Sequence, residues 1–450
     1  MNILSRHLSS ENKSFYKSLL FVALPIMGQE LLNTGVNLLD SVMVGQLGLD
    51  SINGVGFANQ IFFLMSVIMF GVTSGAAIFM GQYWGKKDAE SIRKVIGLCV
   101  SLNMVIALLF GLFAFLSPQT LIGFFTKNPD ALQRGVEYIR VAAITYFLFA
   151  VTACFNASLR SIGQTRLPMF TTLISMVTNG VLNYVLIFIF HWGVTGAAIA
   201  TVTARLIELT SMLLLLRHYK TPLLGPIKSY FSATKAFVRA FFKLTLPVIA
   251  NEATWAIGTT LYTVIYQMCG HEAQGATQIT SVIQNMFMVI GFGAGTGCGV
   301  LIANRLGAGE RDLAISYANK GLKVILVIGF VMSGLLLLGA PLIVMLYDVS
   351  DAVRADARRI MYVIALGVVV KNFNYSSIVG VLRSGGDTRF CLYLDLAGVW
   401  AIGLPLALFG AAVLHLPIHW VVALVYTEEL FKCILSARRV KSNAWANCLV

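Results

Sequence analysis

The first apolar run of the chain carries Glu30, Asn33, Asn37 and Asp40. Spacings of three, four and three place all four on one face of a helix. At about 1.5 Å per residue the stripe is about 15 Å long. Carboxylates inside apolar segments are costly and mark function in membrane proteins. Asp40 can bind a proton or a hard cation such as Na+, and release it when its surroundings change sides. A second stripe, Thr172, Ser175, Asn179 and Asn183, offers amide oxygens that could complete a cation site without adding charge. Interhelical hydrogen bonding is the alternative for these asparagines. A third stripe holds Glu252, Trp255, Thr259 and Tyr262. Lys371 lies midway along another apolar run, too deep to snorkel, and is expected to pair with Glu252 or with Asp395. Arg205 and Glu208, three apart, are expected to neutralise one another. Glu428, Glu429 and Lys432 read as a solvated helix end.

These residues need helices in a bilayer to position them. The chain has 450 residues, 57% hydrophobic and 12% charged, with a mean hydropathy of +0.79. Soluble domains carry about 25% charge, and disordered chains are poor in apolar residues. Twelve apolar segments can be read, at 18–44, 52–80, 95–117, 136–157, 167–190, 193–216, 243–268, 275–302, 320–345, 357–380, 391–413 and 418–437. The fold class expected is an all-α membrane protein of twelve transmembrane helices.

The net charge is +13, and its basic residues sit between apolar runs. That placement fits anionic lipid rather than nucleic acid. Counted in the loops and span ends, 25 Lys and Arg fall on the side of the termini and 6 on the other. Both termini are therefore expected in the cytoplasm, in a multi-pass protein of the cell (inner) membrane. Residues 1–17 are too polar for a cleaved signal. The seven cysteines show neither a disulfide framework nor metal-ligand spacing. No phosphate-binding loop is present, so ATP is not the expected energy source. No catalytic set is recognisable. The expectation is a transporter, not an enzyme, without cofactor.

A polar stretch at 217–242 separates residues 1–216 from 243–450, six segments each, and the two sets repeat one another. At an offset of 222, Leu24-Pro25 falls on Leu246-Pro247, Glu30 on Glu252, Gly48 on Gly270, Gln82 on Asn304 and Gly85 on Gly307. At 223, Leu159 to Arg166 falls on Leu382 to Arg389. Even span numbers imply two pseudo-symmetric lobes, with substrate bound between them. Pro25 and Pro247 each remove a helix hydrogen bond and are expected to act as hinges.

The duplicated Leu-Arg-x-x-Gly-Asp/Gln-Thr signature, Pro25, Asp40-(x)4-Gly45-x-x-Gly48 and Gly85 together resemble the multidrug and toxic compound extrusion (MATE) family. The resemblance covers about residues 14–440. It implies cation-coupled antiport, with H+ or Na+ entering as small organic, often cationic, drugs or metabolites leave by alternating access. It also implies an N-lobe site of Asp40, Asn179, Tyr138 and Thr201, with Asn183 where relatives carry an aspartate. In the C-lobe it points to Glu252 and to Asn372, which stands where one branch has an aspartate. Tyr262 takes the position of Asp40, and Lys371 sits beside Asn372. Sodium, where used, would be held by Asp40, Asn179 and Asn183. A monomer is expected. The alternative is a lipid-linked saccharide flippase of the same wider superfamily.

Overall fold

The structure is a computed structural model. It describes residues 2–345, 347 and 349–450, with side chains from 14 onward apart from position 271. Among the described residues every regular element is helical. We number the principal helices α1 (Asn2–Gly45), α2 (Leu49–Gly85), α3 (Ala89–Leu116), α4 (Pro129–Ala142), α5 (Ile144–Ser161), α6 (Arg166–Asn183), α7 (Gly193–His218), α8 (Lys235–Gln267), α9 (His271–Gly307), α10 (Arg311–Met345), α11 (Asp351–Tyr375), α12 (Thr388–Leu396) and α13 (Ile418–Lys441).

The protein is an all-α membrane protein of the twelve-helix, two-lobe kind. Among the described residues nine helical segments are long and apolar enough to span a bilayer, and the α4–α5 pair, bent by 50°, makes a tenth. The remaining two expected segments lie on α8 and α13, 33 and 24 residues long. Both carry polar groups at their centres, Asn251 and Glu252 in α8, Glu428, Glu429 and Lys432 in α13.

Helix starts follow the local chemistry. Asp88 accepts from the Ser91 amide at 3.0 Å and caps α3. Asn128 caps α4 with Pro129 at its first position, and Ser350 caps α11, each satisfying an otherwise orphaned amide. The repeated glycines at 48 and 270 have φ of 102° and 109°. A side chain would strain that left-handed turn, which explains why both repeats keep glycine there.

The chain forms two compact units. One is Gly28–Ile249 and the other Met1–Met27 with Ala250–Val450. The division departs from the expected 1–216, 217–242 and 243–450, because it runs through α1 and α8 rather than through the polar stretch. Each boundary falls two residues past a proline, Pro25 or Pro247. The cause is visible in the packing. In the first unit a side-chain carbon added at Gly71 would meet the Ile249 backbone at 2.8 Å, and one at Gly75 would meet Thr245 at 2.7 Å. In the second, Gly293 lies against Met27 and Gly297 against Ala23. Those glycines and their partners are all related by the same offset of 222. Each repeat thus has a glycine-lined helix that admits the first half of the other repeat's proline helix. Phe15, Leu19 and Ala23 are buried with Cys298, Ile302 and Leu382, while Phe237 and Phe241 stack on Tyr83 and Phe79.

Candidate functional site

In the Gly28–Ile249 unit, α1, α6 and α7 bring Asp40, Asn179, Asn183 and Thr201 together. The Asn183 amide donates to Asp40 and, at 3.3 Å, to Asn179 Oδ1. Asn179 donates to Thr201 at 3.5 Å. Buried Tyr138 of α4 lies beside Thr201 and feels the charge of Asp40. Asn183 is fully buried and its Oδ1 has no partner. An orphaned amide oxygen beside a carboxylate is an available ligand for a hard cation.

Glu30 and Asn37 do not join this group. Glu30 pairs with Arg160 at 3.1 Å, and Asn37 is exposed. A polar ladder extends the site along the unit. Arg205 acts electrostatically on Asp40 and pairs with Glu208 at 2.8 Å. Thr172 donates to Glu208 at 3.4 Å, Gln29 to Thr172 at 3.2 Å, and Arg160 to Gln29 at 2.9 Å.

The Ala250–Val450 unit holds a second ladder, and here several expectations fail. Glu252 pairs with Arg383 at 2.7 Å, not with Lys371. Asp395 pairs with Lys432 at 3.7 Å, again not with Lys371. Lys371 forms no ion pair among the described residues; the charges it feels are Glu429, Glu428 and Lys432. Asn372 is fully buried against Gly291, with both amide atoms unpartnered. Tyr262 donates to Glu428. Glu428, Glu429 and Lys432 are not a solvated end: they are 5%, 8% and 4% exposed. Lys432 lies 3.3 Å from both glutamates, and Asn374 donates to Glu429 at 2.6 Å. The failure has one physical cause. Arg383 holds Glu252 and Lys432 holds Asp395, each nearer its carboxylate than Lys371, whose charge bears on Glu429 instead.

Arg160 and Arg383 are the functional residues that the sequence reading missed. Both stand at the ends of apolar runs among the loop charges, yet each turns back to the repeat-related glutamate, Glu30 or Glu252, and to the amide before it, Gln29 or Asn251. The duplicated Leu-Arg and the duplicated glutamate were the available signal.

Beyond the signature the repeat offset becomes 224. The Phe190 amide donates to Val185 and that of Trp192 to Leu186; the Leu414 amide donates to Phe409 and that of Leu416 to Gly410. His191 and His415 share a positive φ, 56° and 47°. The extra residue lies in the π-helical stretch Ala397–Gly403, since each π-turn accommodates one residue more than an α-turn. Thr172 then corresponds to Asp395, Asn179 to Gly403, Arg205 to Glu429 and Glu208 to Lys432.

Comparison with known proteins agrees with the duplication. The MatE family model matches residues 25–185 and again residues 247–409. The chain belongs to the MatE family. It is 26% identical over 415 residues, 90% of each chain, to an uncharacterised transporter, YisQ, of Bacillus subtilis. It is 24% identical over 406 residues, 86% of this chain and 82% of the other, to the multidrug resistance protein PmpM of Pseudomonas aeruginosa. A crystal structure of a mutant of the Vibrio cholerae MATE transporter VcmN matches with a TM-score of 0.89 at 17% identity, covering 98% of this chain and 99% of that one. MatE membership makes this protein a multi-pass membrane transporter.

Proposed function

We propose that the protein is a secondary active antiporter that exports organic, cationic drugs or metabolites by alternating access, driven by H+ or Na+. It would act as a monomer in the cell membrane with both termini cytoplasmic. The coupling ion is held at Asp40, with Asn183, Asn179, Thr201 and Tyr138 as its shell. The observation that carries this reading is a carboxylate within an apolar unit, bonded only to amides, next to an orphaned amide oxygen. Such a group responds to a change in water access, because its charge is not matched by a salt bridge. A sodium ion would find oxygens at Asp40, Asn179 and Asn183. The names of relatives such as PmpM favour drug export over the flippase alternative.

Pro25 and Pro247 are the hinges in this reading. Each lies inside a continuous helix, two residues before the boundary of a compact unit, and a differential affinity of ion and substrate for two states would couple the two fluxes. The C-lobe residues Glu252, Lys371, Asn372 and Tyr262 would complete the polar machinery.

The test is efflux of a fluorescent cationic dye from proteoliposomes under an imposed pH gradient or an imposed Na+ gradient. Wild type is expected to respond to one gradient, and Asp40→Asn to lose that response. Efflux that persists in Asp40→Asn would overturn the assignment of Asp40.

A further inference from the structure

The ladder of the first unit contains three carboxylates, Glu30, Asp40 and Glu208, against two cations, Arg160 and Arg205. Two carboxylates are paired, and Asp40 is left over. In the second unit, Glu252 is matched by Arg383. Asp395, Glu428 and Glu429 then face Lys432 and Lys371. Here too one carboxylate is left over, in surroundings where an unmatched charge is expensive.

Geometry indicates which one. Asp40 accepts from Asn183, which also donates to Asn179. The residue that corresponds to Asn179 is Gly403, and a side-chain carbon placed there would run into the Tyr262 hydroxyl and the Glu428 carboxylate. Tyr262 itself corresponds to Asp40. The space that a carboxylate and an asparagine fill in the first repeat is filled in the second by Glu428, reaching in from α13, and by the tyrosine that donates to it.

We infer that Glu428 is a second proton-binding carboxylate, the counterpart in the second repeat of Asp40 in the first. The ligand is a proton rather than a metal ion. Lys432 Nζ, 3.3 Å from Glu428 Oε1, fills the space in which a metal ion would need several ligands, whereas a proton needs one carboxylate oxygen, and Lys432 keeps Glu429 and Asp395 as partners when Glu428 is neutralised. A proton delivered by hydronium, which leaves as water, neutralises the extra carboxylate in place and forms the acid. Lys432 then serves Glu429 and Asp395, Lys371 faces Glu429, and Tyr262 keeps its contact with the Glu428 carboxyl. The inference extends the proposed ion-coupled reading but does not need Asp40 to be the coupling group.

The test is proton uptake by the purified full-length protein in detergent as the pH of a weakly buffered solution is lowered. Glu428→Gln is expected to bind about one proton fewer than wild type, as is Asp40→Asn, and the double variant about two fewer. An infrared band of a protonated carboxylic acid is expected to survive in Asp40→Asn and to vanish in the double variant. Tyr262→Phe provides a check should Glu428→Gln fold poorly: it should shift the pH midpoint of one proton's uptake without changing the amount. Uptake in Glu428→Gln equal to that of wild type, or a midpoint unmoved in Tyr262→Phe, would overturn the inference. Loss of uptake in Glu428→Gln, with dye efflux intact in Asp40→Asn, would instead remove the Asp40 reading and leave this one standing.

Discussion

Where the first repeat carries Thr172, Glu208 and Arg205, the second carries Asp395, Lys432 and Glu429. Both ladders begin alike: an arginine from the signature, Arg160 or Arg383, holds a glutamate and the preceding amide of the proline helix. Past that start the signs of the charges invert. A pair can be reversed without loss, because neutrality and separation are kept when both members change. What cannot be dropped is one member alone, because a lone buried charge has no compensation. The repeats thus preserve pairing and a single surplus carboxylate, rather than residue identity.

Burial separates the two ladders further and ranks the expected effects. Lys432→Met would leave three carboxylates with only Lys371 facing them, and should destabilise the protein by about 3–5 kcal/mol. The corresponding Glu208→Gln should cost only about 1 kcal/mol, because its partner Arg205 has a side chain 24% exposed. Denaturation of the two variants in detergent measures both. Equal losses would mean that burial does not distinguish the ladders.

The signature arginines sharpen the same contrast. Arg383→Ala strands Glu252 in a site where both side chains are nearly inaccessible, and should cost about 3 kcal/mol or more. Arg160→Ala, at a pair whose side chains are 21% and 34% exposed, should cost about 1 kcal/mol or less. The glycine-lined helices come next. Gly71→Ala would press on backbone and should cost about 1–3 kcal/mol through overpacking. Gly297→Ala, whose nearest neighbour is the Ala23 side chain at 3.1 Å, should cost less.

The smallest contrast lies at the starts of α3 and α10. Burial works to raise the Asp88 carboxyl, but hydrogen bonds from the Ser91 hydroxyl and amide outweigh it and hold the group below its ordinary value. A depressed carboxyl contributes its stability above the unfolded value, near pH ~3.9, and loses it as the pH falls through the folded value. Asp88→Ala should therefore cost about 1 kcal/mol at neutral pH, and less in acid. Its counterpart Glu310 makes only an exposed pair with Arg305 at 2.7 Å, so Glu310→Ala should cost about 0–1 kcal/mol. Thermal unfolding at two pH values separates the two.

Much of this arrangement was legible in the sequence. Among the described residues each of the twelve apolar segments falls on a helical stretch, and the offsets of 222 and 223 placed Pro25 against Pro247 and Glu30 against Glu252. The spacing of Asn179 and Asn183 gave the face that meets Asp40. What stayed hidden depended on geometry that a linear pattern does not carry. A π-turn within Ala397–Gly403 shifts the register by one, which concealed the correspondence of Lys432 with Glu208. Arg383 and Lys371 are both cations near Glu252 in the sequence pattern, and only the path of the chain after α11 decides which one reaches it. The charges of α13 looked solvated because they stand near the end of an apolar run, yet the helix continues to Lys441 and buries them.

The passage of α1 and α8 between the compact units has a consequence for biosynthesis. Phe15, Leu19 and Ala23 leave the ribosome long before the surface that buries them, which belongs to α9, α10 and the signature at Leu382. Domains generally fold in the order of their synthesis. Residues 15–23 must instead wait in the bilayer until that later surface has been made. The first repeat is likewise incomplete until Phe237, Phe241 and Thr245 arrive to cover Tyr83, Phe79 and Gly75. A fragment ending at the polar stretch would lack that cover, so the two repeats mature as one object rather than in sequence.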